Sequence, residues 1–280
     1  MVKQCLCPEC SKEFYTKRSS VRYCSKDCSN KDKNRVRLEG AKDWQILSCG
    51  AGVQSTGMIA AVYSGKLPKP DMVIMVDTGW EKQATMQYVQ DVLKLKCAEI
   101  NLEFVILKTE NNNIFGNNGL VLIPAHKMAA TGKREQLRTM CNGQWQVRLI
   151  KSYLRSRGVK KATSWIGIST DEAHRQRIPR HQWATNRYPL LELGLSRYQC
   201  LYLVRSMGWP DPDKSSCIMC PQHPAEEWEE MAAKHPDDLN RCIEIDNQLE
   251  ARNPDIFLHR SLIRLRNIIW RGETKPRGTI

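Results

Sequence analysis

The chain has 280 residues, 41% of them hydrophobic, which is room for one full α/β domain plus a small appendage and enough apolar matter for a packed core. Its 43 Lys and Arg against 30 Asp and Glu leave a net charge of +13, a balance that favours a polyanionic partner, nucleic acid first. No signal peptide and no apolar run long enough to span a bilayer can be read, so the expected location is cytoplasmic with no membrane contact, and the twelve cysteines are expected to meet metal rather than pair as disulfides.

Residues 1–43 have a composition of their own. Cys7 and Cys10 form a CxxC, and Cys24 with Cys28 a CxxxC, separated by a short hairpin that contains Phe14 and Tyr15. Two close thiolate pairs suit tetrahedral zinc, and so short a segment needs a metal to supply the stability that its core lacks. Cys5 is a spare thiol. Lys12, Lys17, Arg18, Arg22 and Lys26, then Lys31, Lys33, Arg35 and Arg37, make the module basic: a nucleic-acid clamp, or else a solvated spacer or protein-docking knuckle.

From Trp44 to Ser48 an apolar run predicts a strand, which passes through Gly50, Ala51 and Gly52 into a helix from about Gln54 to Ser64. A turn of that kind leaves backbone N–H groups pointing one way and is an anion cradle, although glycine turns also serve simple packing. It is not a Walker A loop, since no GK[ST] closes it, and it lacks GxGxxG spacing. LPKP at Leu67 to Pro70 breaks the helix. Asp71 to Val76 is a second strand, ending in Asp77, Thr78, Gly79 and Trp80, with a helix from Glu81 to about Lys96. Successive strand, turn, helix units with polar residues just past the strand ends build a nucleotide crevice.

With these residues the chain resembles the PP-loop ATP pyrophosphatases, and among them the phosphoadenylylsulfate (PAPS) reductase-like branch. GAGVQS at Gly50 to Ser55 lies over that family's SGGxDS, and Asp77, Thr78 and Gly79 over the branch's DTG. The resemblance implies a doubly wound, mainly parallel α/β sheet of the adenine nucleotide alpha hydrolase type and a site for ATP with Mg2+. It further implies that Gly50, Ala51, Gly52, Gln54, Ser55, Thr56, Asp77, Thr78 and Gly79 contact the nucleotide. Gly50 stands where the family has serine and Gln54 where it has aspartate, which removes a metal or ribose contact; Ser55 and Thr56 remain for phosphate.

Phe104 to Leu107 reads as a third strand, and Asn111 to Gly119 as a loop or insertion. Cys141 stands before a helix carrying Val147, Ile150 and Leu154, where a thiolate is stabilised as the anion. Trp165 to Ser169 is expected as the fourth strand, followed by Thr170 to Arg177. That stretch resembles the branch's phosphate-facing GxR segment, with Gly167 and Arg175 as its contacts; Asp171 and Glu172 either share that work or complement a helix start. Arg187, Tyr188 and Pro189 and a helix from Ser196 to Met207 again follow the branch. SSCIMCP, Ser215 to Pro221, places Cys217 and Cys220 in a CxxC, which suits zinc, a redox pair or an iron–sulfur cluster. Cluster-bearing members of the branch divide their cysteines between a helix start and a later CxxCP. The resemblance thus implies a 4Fe-4S cluster on Cys141, Cys217 and Cys220 with one iron open to carry sulfur. This chain has Met140 where they have a further cysteine. Cys49, Cys97, Cys200 and Cys242 read as buried small hydrophobes. After residue 224 the chain is helical and charged, and Arg260, Arg264, Arg266 and Arg271 either extend a polyanion track or sit on a tail that docks through Leu262, Ile263, Leu265 and Ile268.

The expected plan is a zinc module (1–43), a PP-loop domain (44–224) and a helical extension (225–280). Its expected function is adenylylation of a nucleic-acid or nucleotide oxygen by ATP and replacement of that oxygen by sulfur, with catalysis by Cys141, Cys217, Cys220 and Asp77 and sulfur from a donor protein or free sulfide. The alternatives are a sulfonucleotide reductase of the PAPS type, for which the mobile carboxyl-terminal cysteine is missing, and a non-catalytic zinc-finger nucleic-acid binder.

Overall fold

The computed structural model describes residues 3–16, 20–30, 38, 40–110, 112–177 and 183–270. Lys17, Arg18, Lys31, Lys33, Arg35, Arg37, Asn111 and Arg271 of the expectations above lie outside the described residues.

Five strands form one parallel sheet: β3 (Asp43–Cys49), β4 (Met72–Asp77), β5 (Glu103–Lys108), β8 (Lys161–Trp165) and β9 (Ala184–Arg187), in the spatial order β5-β4-β3-β8-β9. The interior strand β4 buries Met72, Val73, Ile74, Met75 and Val76 in succession, as a strand covered on both faces must. Chain order reverses between β3 and β8. This is the topological switch point at which doubly wound sheets open a crevice at their carboxyl ends.

One face is covered by α1 (Val53–Tyr63), by the run α2 (Gln83–Tyr88), a π turn (Val89–Leu93) and α3 (Lys94–Glu99), and by α6 (Arg197–Ser206). Their core joins Leu47, Val73 and Met75 of the sheet to Met58, Val89, Leu93, Leu203 and Val204. α1 buries almost its whole circumference between sheet and helices, so its sequence carries no charge. On the other face α4 (Arg148–Ser156) sets Leu154 against Ile46, Met72 and Ile74. The short helix α5 (Pro189–Glu192) follows β9, and Ser196 then starts α6 with a capping box to Gln199.

A second core lies beyond the strand ends. α7 (Ala225–Lys234) and α8 (Pro236–Arg252) bury Trp228, Met231, Leu239 and Leu249 against Ile114, Ile123, Trp145, Ile218 and Met219. A small antiparallel sheet of β6 (His126–Met128), β7 (Arg134–Gln136) and β10 (Ile256–Phe257) borders it. The tail docks: Arg264 is buried against Asp246 and Arg266 pairs with Glu250. The amino-terminal module is a hairpin of β1 (Lys3–Leu6) and β2 (Glu13–Thr16) followed by a helical stretch from residue 26. No helix among the described residues is long and apolar enough to cross a membrane.

The expected fourth strand is displaced. The pairing of β8 with β3 runs from Lys161 to Trp165, and Ile166 to Ser169 form the turn that leaves it. Lys161 and Thr163 broke the apolar run that marks a buried strand, yet Thr163 is held by its hydroxyl, which meets the Asp43 carboxylate and the Thr185 hydroxyl of the neighbouring strands. Gly167 and Ser169 are thereby placed at the strand's carboxyl end.

Candidate active site

The cradle is the turn from Cys49 to Val53. Ala51 adopts a left-handed backbone (φ 57°), which costs about 1 kcal/mol for a residue with a Cβ. Its N–H turns back to Cys49 Sγ at 3.3 Å, so this amide is not among those facing outward. Gly52 caps α1 with no side-chain bond, and the first turn holds no acid. The leading amides of the helix are therefore left for an external anion at the switch point. Ser55 directs its hydroxyl to Gly52 O (3.2 Å), whereas Thr56 is fully buried. Gly167 lies directly over this helix start: a Cβ there would stand 3.3 Å from Gln54 Cβ and 3.4 Å from Ser55 N. Arg175, by contrast, pairs with Glu172 at 2.7 Å.

Past β4, Asp77 Oδ1 accepts the Gly79 N–H (2.8 Å) and so closes the DTG turn. Gly79 has φ +76°, and a Cβ on it would meet Asn112 Nδ2 at 2.5 Å, so the turn favours glycine. Thr78 is fully buried and donates to Glu81 Oε1 (2.9 Å). Burial raises the Glu81 carboxyl, with the Asp77 charge adding to it against the Thr78 bond.

SSCIMCP threads between these two turns. Ser215 Oγ faces Gly52, at 2.6 Å from where a Cβ on that glycine would lie. Cys217 bridges to Glu81 through the backbone, and Ile218 N donates to Trp80 O at 2.7 Å. The Cys217 sulfur lies 3.7 Å from Thr78 Oγ1 and 3.9 Å from Glu81 Oε1. From behind, buried His223 presents Nε2 to Cys217 O (2.9 Å) and Ile218 O (3.1 Å) while Nδ1 pairs with Glu227. Both ring nitrogens thus face oxygen atoms of neighbouring groups. Burial opposes the Glu227 charge, but Lys214 and His223 outweigh it and lower its carboxyl.

Cys141 reaches the same place from a different element. Its N–H and that of Met140 both bond Leu122 O (2.9 Å each), just before a π-helical turn (Asn142–Val147) that leads into α4. The three sulfurs feel one another's charge. Burial raises all three thiols, Cys217 to about 12, with the Glu81 charge adding there. The helix start does not reverse this for Cys141, contrary to the stabilised thiolate that its position suggested, because burial outweighs the Asn142 amide.

Beside Cys141 a cleft of about 950 Å³ opens at the end of edge strand β5, between Lys108 and Thr109 on one wall and Gln144 and Arg148 on the other, with Phe115 and Leu120 exposed to it. The loop from 112 to 122 that forms its rim is closed by Leu122 N to Ile114 O and pinned by Trp80 Nε1 to Asn112 O.

The amino-terminal sulfurs Cys7, Cys10, Cys24 and Cys28 all lie within 4.8 Å of one another, with Cys10 to Cys24 at 3.5 Å and Cys24 to Cys28 at 3.6 Å. A tetrahedral zinc ion with bonds of about 2.3 Å spaces its sulfurs by roughly 3.8 Å, so the donor set fits zinc. Cys5 stays outside it in β1. Cys141, Cys217 and Cys220 do not close to that spacing. They are three partly buried thiols brought to one neighbourhood from two separate segments, a donor set of the kind that an iron–sulfur cluster takes. The remaining cysteines, Cys49, Cys97, Cys200 and Cys242, are buried in the cores.

Glu81, Ser215, Arg197 and the His223–Glu227 pair are neighbours of these turns that sequence reasoning passed over. SSC ahead of the CxxC and HPAEE after it were their only signals.

No protein-family model and no curated protein matches the chain. Solved structures that resemble its fold include the following three. The U34-tRNA thiolase NcsA of Methanococcus maripaludis with its 4Fe-4S cluster is 16% identical over 96% of this chain and 89% of that one, with a TM-score of 0.41. PAPS reductase from Candida auris in its phosphate complex is 11% identical over 68% of this chain and 90% of that one, at 0.40. The ammonia-dependent NAD synthetase of Campylobacter jejuni with nitrate is 12% identical over 79% and 90%, at 0.33.

Proposed function

We propose that the chain is a PP-loop enzyme that uses ATP to adenylylate an oxygen of a nucleic acid and then replaces that oxygen with sulfur. The observation that carries this reading is the course of one segment: residues 215–220 lie on the glycine turn at Ser215 and on the DTG turn at Cys217, so thiol chemistry and an anion cradle share one end of the sheet.

In this reading the α1 amides and Gly52 hold the phosphates of ATP, and Gly167 keeps the approach open. The target oxygen attacks the α-phosphorus. The bond to the β-phosphate oxygen breaks, and pyrophosphate leaves. Sulfide from a donor protein or from solution then attacks the carbon that bears the activated oxygen; the carbon–oxygen bond breaks and AMP departs, with no net oxidation. A cluster on Cys141, Cys217 and Cys220 supplies, when bound, an iron without a protein ligand at which sulfur is presented. Asp77 holds the DTG turn in shape and, with Mg2+, faces the phosphates. His223 and Glu227 fix the CxxC backbone. The cleft beside Cys141 offers amide, cationic and apolar walls to a target nucleotide, and the zinc module adds positive charge for the strand.

The test is pyrophosphate release. The anaerobically purified chain with ATP, Mg2+ and sulfide is expected to release pyrophosphate when single-stranded RNA or DNA is added and to incorporate labelled sulfur into that polymer. ATP left intact with every polymer offered would remove the enzymatic reading and leave the binding module.

A further inference from the structure

Gln54 occupies the place where the resembling loop carries aspartate, and its side chain is engaged: Oε1 accepts from Arg197 Nη1 at 2.9 Å across 143 residues of chain. Arg197 opens α6, and its backbone N–H is fixed by Asp171 Oδ2 at 2.7 Å, a carboxylate that also accepts from Ser169 Oγ at 3.4 Å. The backbone is pinned there while the guanidinium reaches back to the first turn of α1. A carboxylate at position 54 would join Arg197 in a charge-cancelling pair. An amide holds the arginine without cancelling it, and among the described residues its guanidinium makes no ion pair with a carboxylate. Asp171 accepts from three donors, the Arg197 N–H, Ser169 Oγ and Thr170 Oγ1. Arg197 therefore brings a positive charge to the β8 side of the cradle.

The β4 side has a different donor. Ser215 Oγ stands over Gly52, and 3.7 Å from where a Cβ on Gly50 would lie. A Cβ at position 52 would push into this hydroxyl, whereas one at position 50 would only touch it, so Ser215 stands closest to Gly52 at the start of α1.

Resting on the ATP reading above, we infer that Arg197 and Ser215 complete the phosphate site from its two sides, with Gln54 as the neutral seat that leaves Arg197 its charge. The replacement of the family's aspartate is then an exchange of one phosphate contact for another rather than a lesion, and nucleotide phosphate touches the same segment that carries Cys217.

Calorimetric titration of the full chain with ATP, AMP and inorganic pyrophosphate, each with Mg2+, tests this without any need for turnover. Arg197→Gln and Gln54→Asp are expected to weaken ATP and pyrophosphate by about tenfold or more and AMP by much less, since the charge meets the β and γ phosphates. Arg197→Lys keeps most of the affinity, and Ser215→Ala loses a few-fold. Unaltered melting of each variant shows that the fold is intact. Equal affinity for ATP and pyrophosphate in wild type, Arg197→Gln and Gln54→Asp overturns the inference, as does a loss of the same size for AMP. Pyrophosphate bound without ATP would uphold the phosphate site and overturn the ATP reading; neither ligand bound by the wild type would overturn both.

Discussion

Gly57 marks the tightest crossing of α1 and α6. A Cβ there would lie 2.8 Å from Cys200 Cβ and 3.3 Å from Cys200 Cα, distances that no rotamer change relieves. Alanine normally gains about 1 kcal/mol over glycine inside a helix, whereas forcing a methyl into a closed contact costs about 1–3 kcal/mol. Overpacking wins here, so Gly57→Ala is expected to lower stability in urea unfolding by up to about 2 kcal/mol; a variant as stable as the wild type would show that the helices are free to separate. At this scale the sequence was legible wherever chemistry follows from local spacing. The CxxC pairs, the glycine turn and DTG are of that kind, and the four cysteines without partner spacing are buried as expected. Arg197 and Ser215 were illegible for the opposite reason: their partners, Gln54 and Gly52, lie more than a hundred residues away, and only the fold brings them together.

Among the elements, β3, β4, β5, α1 and α6 follow their apolar patterns to within a residue or two of the expected limits. Misplacement of β8 and omission of β9 share a cause, since polar Lys161, Thr163, Thr185 and Asn186 sit within the ladder and satisfy themselves sideways. The small sheet of β6, β7 and β10 has strands of two or three residues, too short for any periodicity to show. It carries a consequence for pH. His126, on β6, and His259, just after β10, are both buried, and burial lowers both. Arg134 and Arg260 press His126 further down; His126 and Arg260 do the same for His259, with Asp246 opposing. Because the folded state takes protons less readily than the unfolded chain, whose histidines titrate near 6.5, these rings contribute stability that is present above that pH and lost as pH falls through and below it. Calorimetric melting is therefore expected to drop between pH 7.5 and 5.5, and to drop less in a His126→Asn, His259→Asn double variant. Equal slopes in the two proteins would contradict the assignment.

Over the whole molecule, three units divide the work. The doubly wound sheet sets the glycine turn at its switch point, the core of α7 and α8 carries the CxxC from behind, and a small module with four clustered sulfurs precedes the sheet in the chain. The sequence motifs fixed the order of these parts along the chain. That the carboxyl-terminal helices share a core with Ile114, Trp145 and Ile218 was not legible, because an amphipathic helix shows that it has a buried face without showing what covers it. We propose that the chain uses its cysteines as two separate metal centres, a tetrahedral one for folding and a three-thiol one beside the nucleotide. Metal and acid-labile sulfide analysis of anaerobically purified protein, with a Cys141→Ala, Cys217→Ala, Cys220→Ala variant alongside, tests it most directly. The account predicts iron and sulfide with zinc in the wild type, and zinc alone in the variant. Zinc without iron in both proteins, or iron retained after the three cysteines are removed, would contradict it.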